Sequence, residues 1–204
     1  VWALWGQGAE YGSQGGSFNS DASTVAGGSR WQWAGMLTGI LPDMDGDGKD
    51  ELFWWQRDSD REDDEIHVVS GADVSGGGAL DADDAMLTIE YSQGSIVSMS
   101  SIGDWDGDNV AEWAVQAGTN RVHIYPGAGL TGTHVGGEPI LASLQATADD
   151  SNVDFGSAMF TADIDGDGSQ DWFVGDASFE GDLDADGTED ESAGAVYIFM
   201  NVGL

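Results

Sequence analysis

Apolar residues fall along this chain in short runs separated by polar, glycine-rich stretches. One set is compact and partly aromatic, at 52–55 (LFWW), 113–115 (WAV) and 172–174 (WFV). A second set lies at 66–69 (IHVV), 122–125 (VHIY) and 195–199 (AVYIF), and two further runs lie at 85–91 (AMLTIEY) and 139–144 (PILASL). Semi-apolar segments at 34–41, 95–102 and 157–162 precede the first set. The runs are short, β-branched or aromatic, and bounded by Gly, Asp and Ser, which predicts strands. No window sustains a 3.6-residue apolar period, and 32 glycines argue against long helices. The pattern predicts an all-β chain.

The polar breaks carry a repeat. DMDGDGKDE at 43–51 recurs as DWDGDNVAE at 104–112 and as DIDGDGSQD at 163–171, with first aspartates 61 and 59 residues apart. A unit of about 60 residues with roughly four short strands is the size of a β-propeller blade. Residues 1–5 resemble 195–199, so the chain starts and ends near the same phase and holds three units, approximately 1–65, 66–121 and 122–204 of one domain. A closed propeller takes about four to eight blades. The expectation is therefore a segment of about three four-stranded blades, completed by further blades, by other copies or by a partner protein, because open sheet edges call for pairing.

Charge narrows the partners. Asp and Glu number 38 against five Lys and Arg, a formal net charge of −33, while 40% hydrophobic residues with nine Trp exclude a disordered acidic tail. Nucleic acid and anionic membrane surfaces both need clustered basic residues, so neither is an expected partner. No run of 18 apolar residues exists, so membrane insertion is not expected. There are no cysteines, which excludes disulfides and thiolate metal sites.

The repeated loops have the chemistry of a calcium cage. Ca²⁺ takes six to eight oxygen ligands in an adaptable geometry. Carboxylates at positions 1, 3 and 5 of a tight turn converge on one point, the carbonyl of position 7 joins them, and a carboxylate at position 9 closes the cage. In the first loop these are Asp43, Asp45, Asp47, Lys49 and Glu51; in the second, Asp104, Asp106, Asp108, Val110 and Glu112; in the third, Asp163, Asp165, Asp167, Ser169 and Asp171. Position 6 needs a residue tolerant of a left-handed turn, and it is Gly48, Asn109 and Gly168. An EF-hand requires Glu at position 12, where Trp54, Val115 and Val174 stand instead. Acidic turns without an ion are the bland alternative for one loop, but not for three in register. A fourth, out-of-phase candidate is Asp182, Asp184, Asp186, Thr188 and Asp190, with Gly187 at position 6; a second ion site and a solvated acidic loop are both open there. The acidic stretch 58–65 lacks the glycine and is flanked or interrupted by Arg57 and Arg61, so it reads as solvated.

At these residues the chain resembles the FG-GAP repeats of the integrin alpha propeller and of many secreted bacterial proteins. The third unit matches best, with Phe155-Gly156, the loop at 163–171, Gly175-Asp176-Ala177 in place of Gly-Ala-Pro, and 194–199. The first unit has Trp33-Ala34-Gly35 for Phe-Gly, and the second has Gly94. The resemblance implies calcium-bearing, FG-GAP-type blades of a seven-bladed propeller, from which three units depart, and it implies a secreted or cell-surface setting, where calcium is millimolar. No residue matches the integrin ligand-binding loops.

Little else suggests chemistry. His67 and His123 hold matching places in the repeat and read as structural, and His134 sits in a Gly/Thr-rich turn. No nucleophile elbow, phosphate-cradling loop or His-based metal motif is present. Trp54, Trp55, Trp113 and Trp172 are expected to pack between blades, while Trp2, Trp5, Trp31 and Trp33 form either packing or a sugar-stacking platform. The expectation is a non-catalytic, calcium-stabilised propeller segment acting in adhesion or extracellular assembly. Two other readings stay open: an accessory or partial domain of a secreted carbohydrate-active enzyme, and a self-assembling filament or surface-layer subunit.

Overall fold

The structure is a computed structural model and describes residues 2–4, 22–25, 33–57, 63–75, 79–92, 96–117, 121–135, 139–145, 154–179, 188 and 194–202. The described chain is all-β apart from one short α-helix and one 3₁₀ turn. In chain order the strands are β1 (Trp2–Leu4), β2 (Ala22–Val25), β3 (Trp33–Leu41), β4 (Glu51–Arg57), β5 (Asp63–Val69), β6 (Ala79–Leu80), β7 (Leu87–Ser92), β8 (Ile96–Gly103), β9 (Glu112–Ala117), β10 (Arg121–Tyr125), β11 (Gly132–Val135), β12 (Ala142–Gln145), β13 (Phe155–Ala162), β14 (Gln170–Asp176) and β15 (Ala195–Val202). The helix α1 (Gly71–Ser75) follows β5, and the 3₁₀ turn Ala82–Asp84 is closed by a capping box from Asp81 and Asp84. No described helix is long and apolar enough to cross a membrane.

Three sheets carry the repeat. In the first, β3, β4, β5 and β7 form an antiparallel meander, and β11 adds in parallel to β7. In the second, β8, β9, β10 and β12 form the same meander. In the third, β13, β14 and β15 are antiparallel. A small fourth sheet joins β1, β2 and β6. The three repeat sheets span 33–92, 96–145 and 155–202, with β11 as the one crossover, so the period of about 60 residues is the period of the meander. Each first strand carries a bulge near its start, at Ala34/Thr38, Ile96/Ser98 and Phe155/Ala158. Phe155-Gly156 lies in the third of these, and Ile96-Val97 holds that place in the second sheet.

The sheets stack face to face in chain order. One core lies between the first and second sheets and includes Phe53, Trp55, Ile66, Val68, Met99, Trp113, Val115 and Tyr125. A second core lies between the second and third sheets, with Ile102, Ala114, Val122, Ile124, Phe155, Trp172 and Val174. Strand alternation makes this possible: neighbours such as Trp113 and Ala114 point to opposite faces, so a sheet with apolar residues at both parities is buried on both sides. A third, smaller core of Trp54, Val69, Val74 and Leu80 backs the first sheet, where α1 and β6 cover it. Trp55, Trp113 and Trp172 pack between sheets as expected, whereas Trp54, on the opposite strand face from Trp55, is fully buried on the back of the first sheet under α1 and β6; Trp113 stacks on Tyr125 with centroids 4.6 Å apart. The side chains of Trp2, Trp5, Trp31 and Trp33 lie outside the described residues.

Candidate metal centres

Each Asp-rich loop joins the first strand of a sheet to the second, at β3/β4, β8/β9 and β13/β14. The local conformation comes from two left-handed residues and a ladder of side-chain-to-backbone bonds. Positions 4 and 6 both have positive φ: Gly46 and Gly48 at 80° and 84°, Gly107 and Asn109 at 82° and 71°, Gly166 and Gly168 at 78° and 94°. The position 1 carboxylate accepts from the backbone N–H groups ahead of it. Asp43 takes those of Gly46 at 2.7 Å and Gly48 at 2.9 Å, Asp104 those of Gly107 at 2.8 Å and Asn109 at 2.9 Å, and Asp163 those of Gly166 at 2.7 Å and Gly168 at 3.0 Å. Position 3 accepts from position 5, and position 5 from position 7: Lys49 donates to Asp47 at 2.8 Å, Val110 to Asp108 at 2.7 Å and Ser169 to Asp167 at 2.7 Å. These bonds curl the chain so that the carboxylates gather on one side.

Three acidic clusters result, each able to hold a metal ion. Carboxylate oxygens of Asp43, Asp45, Asp47 and Glu51 lie within 4.8 Å of one another, as do those of Asp104, Asp106 and Asp108, and those of Asp163, Asp165 and Asp171. Glu112 and Asp167 stand outside the tight groups of their own loops. The fourth candidate, Asp182, Asp184, Asp186 and Asp190, lies outside the described residues, and only Thr188 of it, exposed, is described.

The position 9 carboxylates distinguish the loops. Glu51, Glu112 and Asp171 are all fully buried at the start of the second strand. Each accepts from the backbone N–H of position 2: Met44 to Glu51 at 2.8 Å, Trp105 to Glu112, and Ile164 to Asp171 at 2.9 Å. Glu112 is further held by the N–H groups of Asp106 and Gly127, both at 3.2 Å. Those donors occupy both its oxygens and turn it from the aspartates. Glu51 differs: its Oε1 is buried and has no partner among the described residues, although Asp43, Asp45 and Asp47 stand around it. Burial pushes the Glu51 carboxyl up to about 7; the Met44 N–H opposes this, and the charges of Asp45 and Asp43 add to it. Burial also raises the Glu112 carboxyl, against the N–H groups of Trp105, Gly127 and Asp106. An anionic oxygen that is buried, unpartnered and ringed by three carboxylates is a site shaped for a cation, and the all-oxygen donor set suits a hard one.

The fit around position 8 was not legible in the loops themselves. A Cβ on Gly71 would collide with the Asp50 carbonyl, and one on Gly127 with the Ala111 carbonyl. Each glycine follows the third strand of its sheet and lets the chain lie against the back of the loop. The recurrence of glycine two residues after 66–69 and 122–125 was the available signal.

The histidines are engaged inside the sheets. His67 and His123 lie opposite position 12 of their loops, Trp54 and Val115. His67 is buried, with Nε2 3.2 Å from Glu65, Nδ1 3.1 Å from Thr88, and its ring on Trp54. Its partner Glu65 is held below the usual carboxylate range, first by that hydrogen bond. His123 stacks beside Tyr91, which hydrogen-bonds Tyr125, and burial lowers its basicity, with Arg121 adding to the effect. His134 donates from Nε2 to the Thr131 carbonyl at 3.1 Å.

A scan against protein-family models matched none, and a search of curated proteins found no match.

Proposed function

We propose that this chain is a calcium-stabilised, non-catalytic segment of β-propeller blades of FG-GAP type, acting in adhesion or assembly outside the cell. The observation that carries the calcium reading is Glu51, fully buried with an unpartnered oxygen among three aspartates. A divalent ion ligated there gives that oxygen a partner and offsets the crowding of four carboxylates. Calcium is favoured over magnesium because these loops offer many protein oxygens, whereas magnesium keeps most of its waters. The blade reading is supported by three antiparallel sheets stacked face to face at one period, each with its loop between first and second strands. The extracellular setting is part of the same proposal: calcium modules outside cells commonly bind at about 10⁻⁴–10⁻³ M, a range that millimolar calcium saturates.

The test is thermal unfolding of the full chain in calcium and in excess chelator. A site with a Kd tenfold below the free calcium concentration adds about 1.4 kcal/mol, so three sites acting together are expected to raise the midpoint by about 10 °C in a chain of this size. An unchanged midpoint sinks the calcium reading. Equal rescue by magnesium would leave the cation site standing but remove the calcium assignment.

A further inference from the structure

The first Asp-rich loop differs from the other two in the carboxylates it gathers. Only there, among the described residues, do positions 5 and 9 join one group: Asp47 and Glu51 stand with Asp43 and Asp45. In the second loop Asp108 is inside the group and Glu112 outside it; in the third, Asp171 is inside and Asp167 outside. The first group also holds the buried Glu51 Oε1, which has no partner among the described residues. A feature particular to the first sheet draws Asp47 and Glu51 to one point.

The loop backbone is not that feature, because all three loops share one bonding ladder. Asp47 Oδ1 accepts the Lys49 N–H at 2.8 Å, as Asp108 and Asp167 accept from Val110 and Ser169. The difference lies at the second oxygen. The Ser70 hydroxyl donates to Asp47 Oδ2 at 3.3 Å. Among the described residues no side chain donates to Asp108 or Asp167.

Strand register puts Ser70 there. Leu52 pairs with Val69, so the next step of the register sets Ser70 beside Glu51. In the second sheet Trp113 pairs with Tyr125, and the same place falls to Pro126, which has neither a hydroxyl nor an N–H to give. In the third, β15 runs on through that point to Val202. Ser70 is itself held. It is 8% exposed, its Oγ accepts the Ala72 N–H at 3.2 Å, and its carbonyl accepts those of Asp73 and Val74, both at 3.1 Å. It is the residue from which α1 starts, and Val74 of α1 packs with Trp54 and Val69. A hydroxyl that accepts from the N–H of a packed helix keeps its one proton for Asp47. Lys49 Nζ donates to Ser75 Oγ at 3.1 Å and ties the other end of α1 to the same loop.

We infer that Ser70 is a positioning residue of the first cation site, its hydroxyl holding Asp47 in the group of Asp43, Asp45 and Glu51. The inference rests on the cation reading of that loop. Ser70 acts through Asp47 and is not itself a ligand. Each Asp47 oxygen accepts one hydrogen bond and keeps a lone pair, so the hydroxyl orients the carboxylate without using up its capacity to ligate.

The test is calorimetric titration of calcium chloride into the chelator-stripped full chain, with near-ultraviolet circular dichroism to show that each variant folds. Ser70→Ala is expected to weaken one bound ion about tenfold and to leave the others unchanged; that ion is the one Glu51→Gln also weakens. Ser70→Gly removes the same hydroxyl at little cost to the helix start and is expected to do the same. Ser70→Thr keeps the hydroxyl and is expected to bind as the wild type does. Val74→Ala takes packing from α1 without touching the hydroxyl, and is expected to lower the melting midpoint and leave every affinity unchanged. A folded Ser70→Ala or Ser70→Gly that binds all its calcium as tightly as the wild type overturns the inference and leaves the cation reading standing. So does an equal loss in Ser70→Thr or Val74→Ala, because the effect would then be that of a disturbed helix. A wild type that binds no calcium overturns both.

Discussion

Replacing Glu51 by Gln should stabilise the chain when no cation is present and lose most of that gain when one is bound. Glu51 is fully buried, Oε2 accepts the Met44 N–H at 2.8 Å, and Oε1 faces the aspartates unpartnered. Without a cation its carboxyl is raised to about 7 from 4.5. A lift of that size opposes the charged form by about 3 kcal/mol at pH 8, and screening at the open side of the loop reduces this to about 2 kcal/mol. The Gln side chain has no charge to desolvate. Its amide oxygen can still accept from Met44, and its NH₂ can donate toward Asp43 or Asp45. In chelator at pH 8, Glu51→Gln is therefore expected to stabilise by about 2 kcal/mol, or about 4–8 °C in midpoint.

With calcium bound most of that gain is offset. The substitution removes a charged ligand, and where the wild-type site adds about 1.4 kcal/mol, a loss of about 10- to 100-fold in affinity takes away about 1–1.4 kcal/mol of it. The pH dependence gives a second reading. A carboxyl whose folded pKa is raised from 4.5 to about 7 binds more protons in the folded state, so stability falls as pH rises between those values. That slope should appear for the wild type in chelator and vanish in Glu51→Gln or in saturating calcium. The assay is a set of thermal melts for two proteins, with and without chelator, at pH 5 to 8. A shift of equal size in both conditions would refute the reasoning, because Glu51 would then be structural and not a ligand.

Two further predictions separate backbone from packing effects in the loops. Gly46 has φ of 80° and nothing within 4 Å of a would-be Cβ, so Gly46→Ala should cost only the left-handed penalty of about 1–2 kcal/mol. Gly127 is wedged against the Ala111 carbonyl, so Gly127→Ala should cost about 3 kcal/mol by forcing the backbone apart; denaturant midpoints in calcium compare the two, and equal costs would refute the wedge. The fourth candidate loop has Ala185 at position 4, where the three described loops have left-handed Gly46, Gly107 and Gly166. Calorimetric titration is expected to give three calcium ions for the wild type and four for Ala185→Gly, and four in the wild type would show that the loop tolerates alanine there.

The strands of the three repeat sheets were legible, apart from β11, because their apolar runs are short and set off by Gly and Asp, and because a repeat multiplies a weak signal by three; β2 and β6 lie outside the repeat and were not. Most of the carboxylates that gather in the three clusters were legible from the same repeat, but not that Glu112 and Asp167 stand outside them. What could not be read was conformational or long-range. Position 4 looks like any turn glycine, and its positive φ emerges only from the Asp43 and Asp104 bonding ladders. Glu51 and Glu112 occupy the same sequence position, but Gly127 donates to one of them at 3.2 Å while Glu51 keeps an unpartnered oxygen. That contrast depends on a residue 15 positions away. The addition of β11 to β7 is a crossover from within the span of the second sheet back to the first sheet, and no local pattern encodes it.

The loops and the stacking are one device. In every loop the position 9 carboxylate accepts the N–H of position 2, from Met44, Trp105 and Ile164. The side chain of position 2 is the one that reaches toward the following sheet: Met44 is buried in the first core and Trp105 packs on the second, while Ile164, in the third sheet's loop, is exposed. A cation that fixes the carboxylate thereby fixes the backbone from which the inter-sheet contact projects. Where the carboxylate is already saturated by N–H groups, as at Glu112, the contact is set without a cation. Where it is not, as at Glu51, an ion bound at the loop would be expected to steady the packing of the first sheet on the second. Loss of calcium should therefore loosen the first interface before the second, because only there is a ligand oxygen left without a partner.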